Sequence, residues 1–219
     1  MSALLFVHGS GCTGEVFTAQ LAAFEKSSAP DLPAAGTSIG DLADFVESKI
    51  DGPVVVAGSS MGGAVALEIA LRRIPDVRAI VLLGSGSRLR VAPAILEGLE
   101  RDFEATALQL AKLMYADPTP DRIAATLWMM QRAGQARTLR DFRACNAFDV
   151  TDRLGDITVP VLALTGERDV MTPPKYAQAL AGRVAGAQVR IIPDAGHLVM
   201  VERPSETNAA IKNFVDQVA

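Results

Sequence analysis

Histidine and cysteine are nearly missing from this chain of 219 residues, which holds only two of each: His8, His197, Cys12 and Cys145. Four such residues, this scattered, supply neither a disulfide framework nor the spacing of a metal site, so no metal is expected and a reducing cytoplasm is the expected location. Positive charge is in deficit, with 21 Lys and Arg against 25 Asp and Glu and a net charge of −4. That balance speaks against an electrostatic partner such as nucleic acid or an anionic membrane. Long apolar runs are absent too, and none approaches the ~20 residues that cross a bilayer. The opening stretch Met1–Val7 lacks a basic segment and breaks at His8-Gly9, too soon for a signal peptide. What remains, 49% hydrophobic and 21% charged, is the composition of a folded protein with one sizeable core.

Apolar runs and helical periodicities alternate along the chain. Ala3–Val7, Val54–Ala57, Ala79–Leu83 and Val161–Thr165 read as buried strands, and Gln188–Ile192 as a further one. Between them lie helical patterns, one opened by Ser38 and Asp41 in capping-box spacing, another running from Ala64 to Arg73 and ending before Pro75. Pro204 starts the last. This alternation specifies an α/β fold with a parallel sheet covered on both faces. From Arg88 to Arg153 the strands stop, and spacings such as Ile95, Leu99, Phe103 and Ile123, Leu127, Met130 are helical throughout. The expected organisation is a core of 1–87 and 154–219 with a helical cap, 88–153, inserted over the C-terminal edge of the sheet, where open α/β sheets bind ligands.

Three loops at that edge carry chemistry. Gly58-Ser59-Ser60-Met61-Gly62 fits G-x-S-x-G between a strand and a helix, a turn so tight that a side chain at either flanking glycine would strike backbone. Ser60 is the candidate nucleophile, and the helix start places the Met61 N–H beside it. A serine hydroxyl needs a base, and His197 follows the last strand; the base needs an acid, and Asp169 follows the strand Val161–Thr165. Glu167 reads as a loop-end charge and Asp31 as a turn cap. The stretch Gly84–Leu96, where another chain order would put the acid, holds no Asp or Glu. The loop His8-Gly9-Ser10-Gly11 can offer the Ser10 N–H as the second oxyanion donor, with His8 in a structural role.

These residues resemble the α/β-hydrolase fold superfamily over nearly the whole chain, in the order Ser60, Asp169, His197, with His8-Gly9 matching its oxyanion loop and Ala195-Gly196-His197 its histidine loop. The resemblance is to small capped serine esterases and implies hydrolysis of a small, hydrophobic carboxylic ester or related acyl compound through an acyl-enzyme. Lactone or carbon–carbon bond hydrolysis would use the same three residues, and a small-molecule receptor with slow turnover would keep them. Ser60 in place of Asp speaks against haloalkane dehalogenase or epoxide hydrolase chemistry. No cofactor is implied, and no G-x-G-x-x-G opens a helix after the first strand. The sheet is expected to have about six strands, short of the usual eight or so by the first two, leaving an edge exposed or covered by a partner. Trp128 and Met129 of the cap, with Leu198, are the expected lining of the substrate pocket. The expected partner is a small-molecule substrate, and monomer and homodimer both stay open.

Overall fold

The computed structural model describes residues 2–218. Six strands form one sheet: β1 (Ala3–Val7), β2 (Ser27–Ser28), β3 (Val54–Ser59), β4 (Val77–Leu83), β5 (Val161–Gly166) and β6 (Gln188–Ile192). Their order is β2-β1-β3-β4-β5-β6, and every neighbouring pair is parallel. Among the described residues ten α-helices accompany them: α1 (Thr18–Ala23), α2 (Ile39–Glu47), α3 (Met61–Leu71), α4 (Pro93–Arg101), α5 (Phe103–Leu113), α6 (Pro120–Ala133), α7 (Gln135–Ala147), α8 (Pro174–Ala181), α9 (Val199–Glu202) and α10 (Pro204–Val218).

Strands β1, β3, β4 and β5 are apolar at nearly every position because each faces two cores. Leu5, Val7, Val54, Val56, Ile80, Leu82, Val161 and Ala163 point to one side, where α2, α3 and α8 pack. Leu4, Phe6, Val55, Ala57, Val81, Leu83, Leu162 and Leu164 point to the other, against α10 and the helices that follow β4. Successive side chains alternate faces, so a continuous apolar run feeds both layers at once. The first turn of α2 is held by the capping box read from the sequence: Ser38 Oγ accepts from the Asp41 N–H at 3.1 Å, and Asp41 Oδ2 from the Ser38 N–H at 3.0 Å. One strand departs from expectation. In β6 the residues Gln188 to Ile191 are exposed, because this strand ends the sheet and has a neighbour only in β5.

Helices α4–α7 form the one long interruption of the strand–helix alternation. Both ends of that segment are fastened together. Arg88 and Asp149 make an isolated antiparallel bridge and an ion pair at 3.2 Å, and the Val150 N–H donates to the Ser87 carbonyl at 2.9 Å. Leu99, Leu110, Met130 and Phe142 bury the inward faces of these four helices in the same core as Leu83 and Leu164. Among the described residues no helix is long and apolar enough to cross a membrane.

Candidate active site

Ser60 sits between β3 and α3 with φ 53° and ψ −114°, a left-handed conformation that non-glycine residues rarely hold. The surroundings leave it no alternative. A Cβ on Gly58 would come within 2.0 Å of the Gly62 carbonyl oxygen, and one on Gly62 within 2.0 Å of the Val7 oxygen, so both flanking glycines are steric requirements. The Ser60 N–H donates to the Leu83 carbonyl at 2.9 Å, and its own carbonyl accepts from the Ser85 hydroxyl at 2.8 Å. The turn is thus tied to the end of β4 on both sides, and the hydroxyl opens into a cavity shared with His197.

His197 Nδ1 donates to Asp169 Oδ2 at 2.9 Å, with the two side chains almost wholly buried. Asp169 is held on every side. Its Oδ1 accepts from the backbone N–H groups of Met171 and Thr172 at 2.9 and 2.8 Å, and Oδ2 also accepts from the Thr172 hydroxyl at 2.7 Å. Burial pushes the carboxyl up, but the His197 ring and the Thr172 donors outweigh it and hold Asp169 below the ordinary carboxylate range. The acid therefore stays ionised beside the imidazole, fixes its Nδ1–H tautomer and leaves Nε2 free. Gly84, at φ +56°, makes room for the pair: a Cβ there would stand 3.1 Å from Asp169 Oδ2 and 3.2 Å from His197 Nδ1.

Neither competing acid reaches the imidazole. Glu167 accepts weakly from the exposed Asp194 N–H, and Asp31 accepts from the Gly14 N–H at 2.7 Å. The loop after β1 lies against the serine turn, where a Cβ on Gly9 would meet Ser60 Cβ at 3.1 Å. Neither the Ser10 N–H nor the Met61 N–H donates to another group among the described residues. His8 is wholly buried as a scaffold group. Its Nδ1–H donates to the Gly9 carbonyl at 2.9 Å, while Nε2 accepts from the Leu32 N–H at 2.9 Å and from Arg137 at 3.0 Å. Burial and the Arg137 cation, opposed by the Gly9 hydrogen bond, lower its pKa to about 4, so the ring is neutral. Burial drives the thiols of Cys12 and Cys145 up to about 12, which leaves no thiolate to compete with Ser60.

The cavity above Ser60 and His197 encloses about 370 Å³ and is walled by Leu89, Val91, Ile95, Leu113, Phe142 and Met171. Helices α4, α5 and α7 supply part of that wall, but not with the residues expected from the sequence. Trp128 and Met129 line a separate open groove with Val16, Ala19 and Met200; Trp128 is 48% exposed, with the Arg132 guanidinium 4.8 Å above its ring. The stripe on α6 packs toward α1 and α9, away from the serine. Leu198 touches only a small void beside Ser10, Ser60 and His197. No group of three or more potential metal-ligating side chains occurs among the described residues.

Sequence reasoning missed three supporting groups. Thr172 was visible only as part of the acid loop. Glu202, on α9, accepts from the N–H groups of Ala116, Asp117 and Gly196, and nothing local marks it, since two of these donors lie far away in the sequence. Arg140 donates to the carbonyls of Pro33, Ala35 and Gly36 and to the buried Asp141, which pins α7 to the loop before α2.

A serine on a strained strand-to-helix turn, with an Asp–His pair on neighbouring loops of a parallel sheet, defines the class. The chain belongs to the alpha/beta hydrolase family, which it matches over residues 4–210. A pimeloyl-[acyl-carrier protein] methyl ester esterase of Neisseria meningitidis is 30% identical over 97% of this chain and 76% of its own length. The solved structure of a thermophilic esterase superposes with a TM-score of 0.87 at 30% identity, covering 100% of this chain and 91% of that one. Est816, described as an N-acyl homoserine lactone degrading enzyme, superposes with a TM-score of 0.84 at 25% identity, over 98% and 93%. These relatives support a hydrolase acting on ester-like substrates.

Proposed function

We propose that this protein hydrolyses a small carboxylic ester through a covalent acyl-enzyme, with Ser60, His197 and Asp169 as the catalytic residues. The observation that carries this reading is the pairing of a strained, cavity-facing serine with a buried histidine whose Nδ1 is committed to an ionised aspartate. Ser60 Oγ attacks the ester carbonyl and His197 Nε2 takes its proton. The tetrahedral oxyanion is received by the Ser10 and Met61 N–H groups, which have no other acceptor among the described residues. His197 then protonates the departing alcohol, and a water activated by the same nitrogen releases the acid. The acyl or alcohol part is hydrophobic, in keeping with the apolar wall of a cavity of about 370 Å³. Residues 88–153 act as the cap over this site, and Leu113 and Phe142 carry their share of the wall. The methyl ester esterase and the thermophilic esterase among the relatives favour a carboxylic ester.

The test is labelling with a fluorophosphonate and turnover of short-chain nitrophenyl esters, on the native protein and on Ser60→Ala. The native protein should label at Ser60, and Ser60→Ala should lose labelling and roughly 10⁴-fold or more in kcat while remaining folded. Full activity in folded Ser60→Ala would overturn the mechanism.

A further inference from the structure

The residues lining the cavity over Ser60 include one permanently charged side chain, Arg90, and no carboxylate. Its neighbour Arg88 is spent on Asp149 at 3.2 Å. Arg90, in contrast, makes no ion pair within 4.0 Å and donates no hydrogen bond among the described residues, although it is exposed and its charge, like that of Arg88, helps hold Asp149 below the ordinary carboxylate range. Tyr176 stands with it. Both residues line the cavity over Ser60 and also an adjoining one of about 260 Å³ together with Ser87, Arg88 and Ala179, so they form the wall where the two spaces meet. The Tyr176 hydroxyl has no partner among the described residues either, and the Lys175 ammonium lies 6.0 Å from its ring. A chain of net charge −4 thus places a cation with no direct ion-pair partner, and a hydroxyl with no protein partner, on the wall of the cavity that holds Ser60.

We propose that Arg90, with the Tyr176 hydroxyl, binds an anionic group at the far end of the substrate, so that the preferred substrates are half-esters: esters of acids that carry a second, ionised carboxylate. The inference rests on Ser60 as the nucleophile and assigns the substrate class of that same site. An aliphatic spacer would lie along Leu89, Val91 and Ile95, and the scissile carbonyl would sit at Ser60 with the carboxylate at Arg90. Guanidinium suits this role because it stays charged at any working pH and offers a planar fork to a carboxylate.

The experiment compares the monomethyl esters of dicarboxylic acids, from succinate to suberate, with the matching methyl esters whose free carboxylate is replaced by a primary amide. kcat/KM is measured for native protein, Arg90→Gln, Arg90→Glu and Tyr176→Phe, and binding of each pair to Ser60→Ala is measured by calorimetry. At the best spacer length the half-ester should exceed its amide by about tenfold in kcat/KM, chiefly through KM. Arg90→Gln should abolish that preference and Arg90→Glu should invert it, each losing far more on the half-ester than on the matching amide, and Tyr176→Phe should narrow it. Equal loss on both members of each pair, or no charge preference at any length, would overturn the anion site. Failure of the underlying reading looks different: Ser60→Ala would then still turn over ester, whatever the calorimetry says about charge.

Discussion

Asp169 Oδ2 receives two donors, the His197 Nδ1–H and the Thr172 hydroxyl, while the same hydroxyl lies 3.1 Å from Nδ1. The acid is therefore clamped in one orientation by side chain and backbone together, and the imidazole inherits that orientation. Replacing the carboxylate with an amide turns one acceptor oxygen into a donor facing another donor. Asp169→Asn should consequently leave the fold intact but lower kcat by about 10⁴-fold, because the imidazole would be held in the wrong tautomer. Glu167→Gln should change kcat little, since that carboxylate meets only an exposed backbone N–H. Steady-state kinetics on both variants decides the assignment, and the reverse order of damage would make Glu167 the acid. Removing only the hydroxyl of Thr172, a positioning residue, is milder. The two backbone donors to Oδ1 persist in Thr172→Val, so a loss of about tenfold in kcat is expected, with no change in fluorophosphonate binding at saturation.

At the level of elements, β1, β3, β4, β5 and the serine turn were legible because their causes are local, whereas β2, Ser27–Ser28, has no apolar run to mark it. A run apolar at consecutive positions can only lie between two layers, and glycines flanking a serine between strand and helix mark a turn that other residues cannot make. Trp128 and Met129 show where that legibility stops. Periodicity shows that a stripe of α6 is buried, but not whether its partner is the cavity over Ser60 or the flank of α1 and α9. Glu202 shows the same limit for polar groups, since its meaning depends on where α5 ends in space. That carboxylate joins the α5–α6 connection to the residue before His197, and the Leu198 N–H adds a bond to the Met114 carbonyl at 3.0 Å. The α5–α6 connection and the histidine loop are thus tied together. Glu202→Gln would face buried N–H donors with an NH₂ group, at about 1–3 kcal/mol for each donor left unpaired. A drop in thermal midpoint should come with slower phosphonate labelling of Ser60. A variant that loses stability yet labels at the native rate would show that the α5–α6 connection is not coupled to His197.

For the molecule as a whole, one buried ring couples the site's scaffold to pH. His8 links β1, the Leu32 segment and Arg137 of the helical block; the two contacts at Nε2, with the Leu32 N–H and Arg137, require the neutral imidazole as acceptor, while the Nδ1–H bond to the Gly9 carbonyl survives protonation. Burial and the Arg137 and Arg140 cations lower its pKa, against the Gly9 bond and Asp31, from 6.5 to about 4. The unfolded chain therefore binds a proton that the folded one refuses. The stabilisation is complete above the unfolded value of about 6.5 and is lost as pH falls toward about 4, amounting to about 2 kcal/mol by pH ~5 and about 3 kcal/mol near pH ~4. Asp141, whose carboxyl burial raises above its ordinary value despite the Arg140 and Arg137 cations, contributes in the opposite sense, since its penalty is relieved in acid. The two separate by substitution. Urea unfolding across about pH 7 to about pH 4.5 should show the native protein losing stability steadily, while His8→Gln, less stable at neutral pH, should lose markedly less over the same interval. Parallel slopes in the two proteins would mean that His8 takes up its proton without breaking the link between β1 and Arg137.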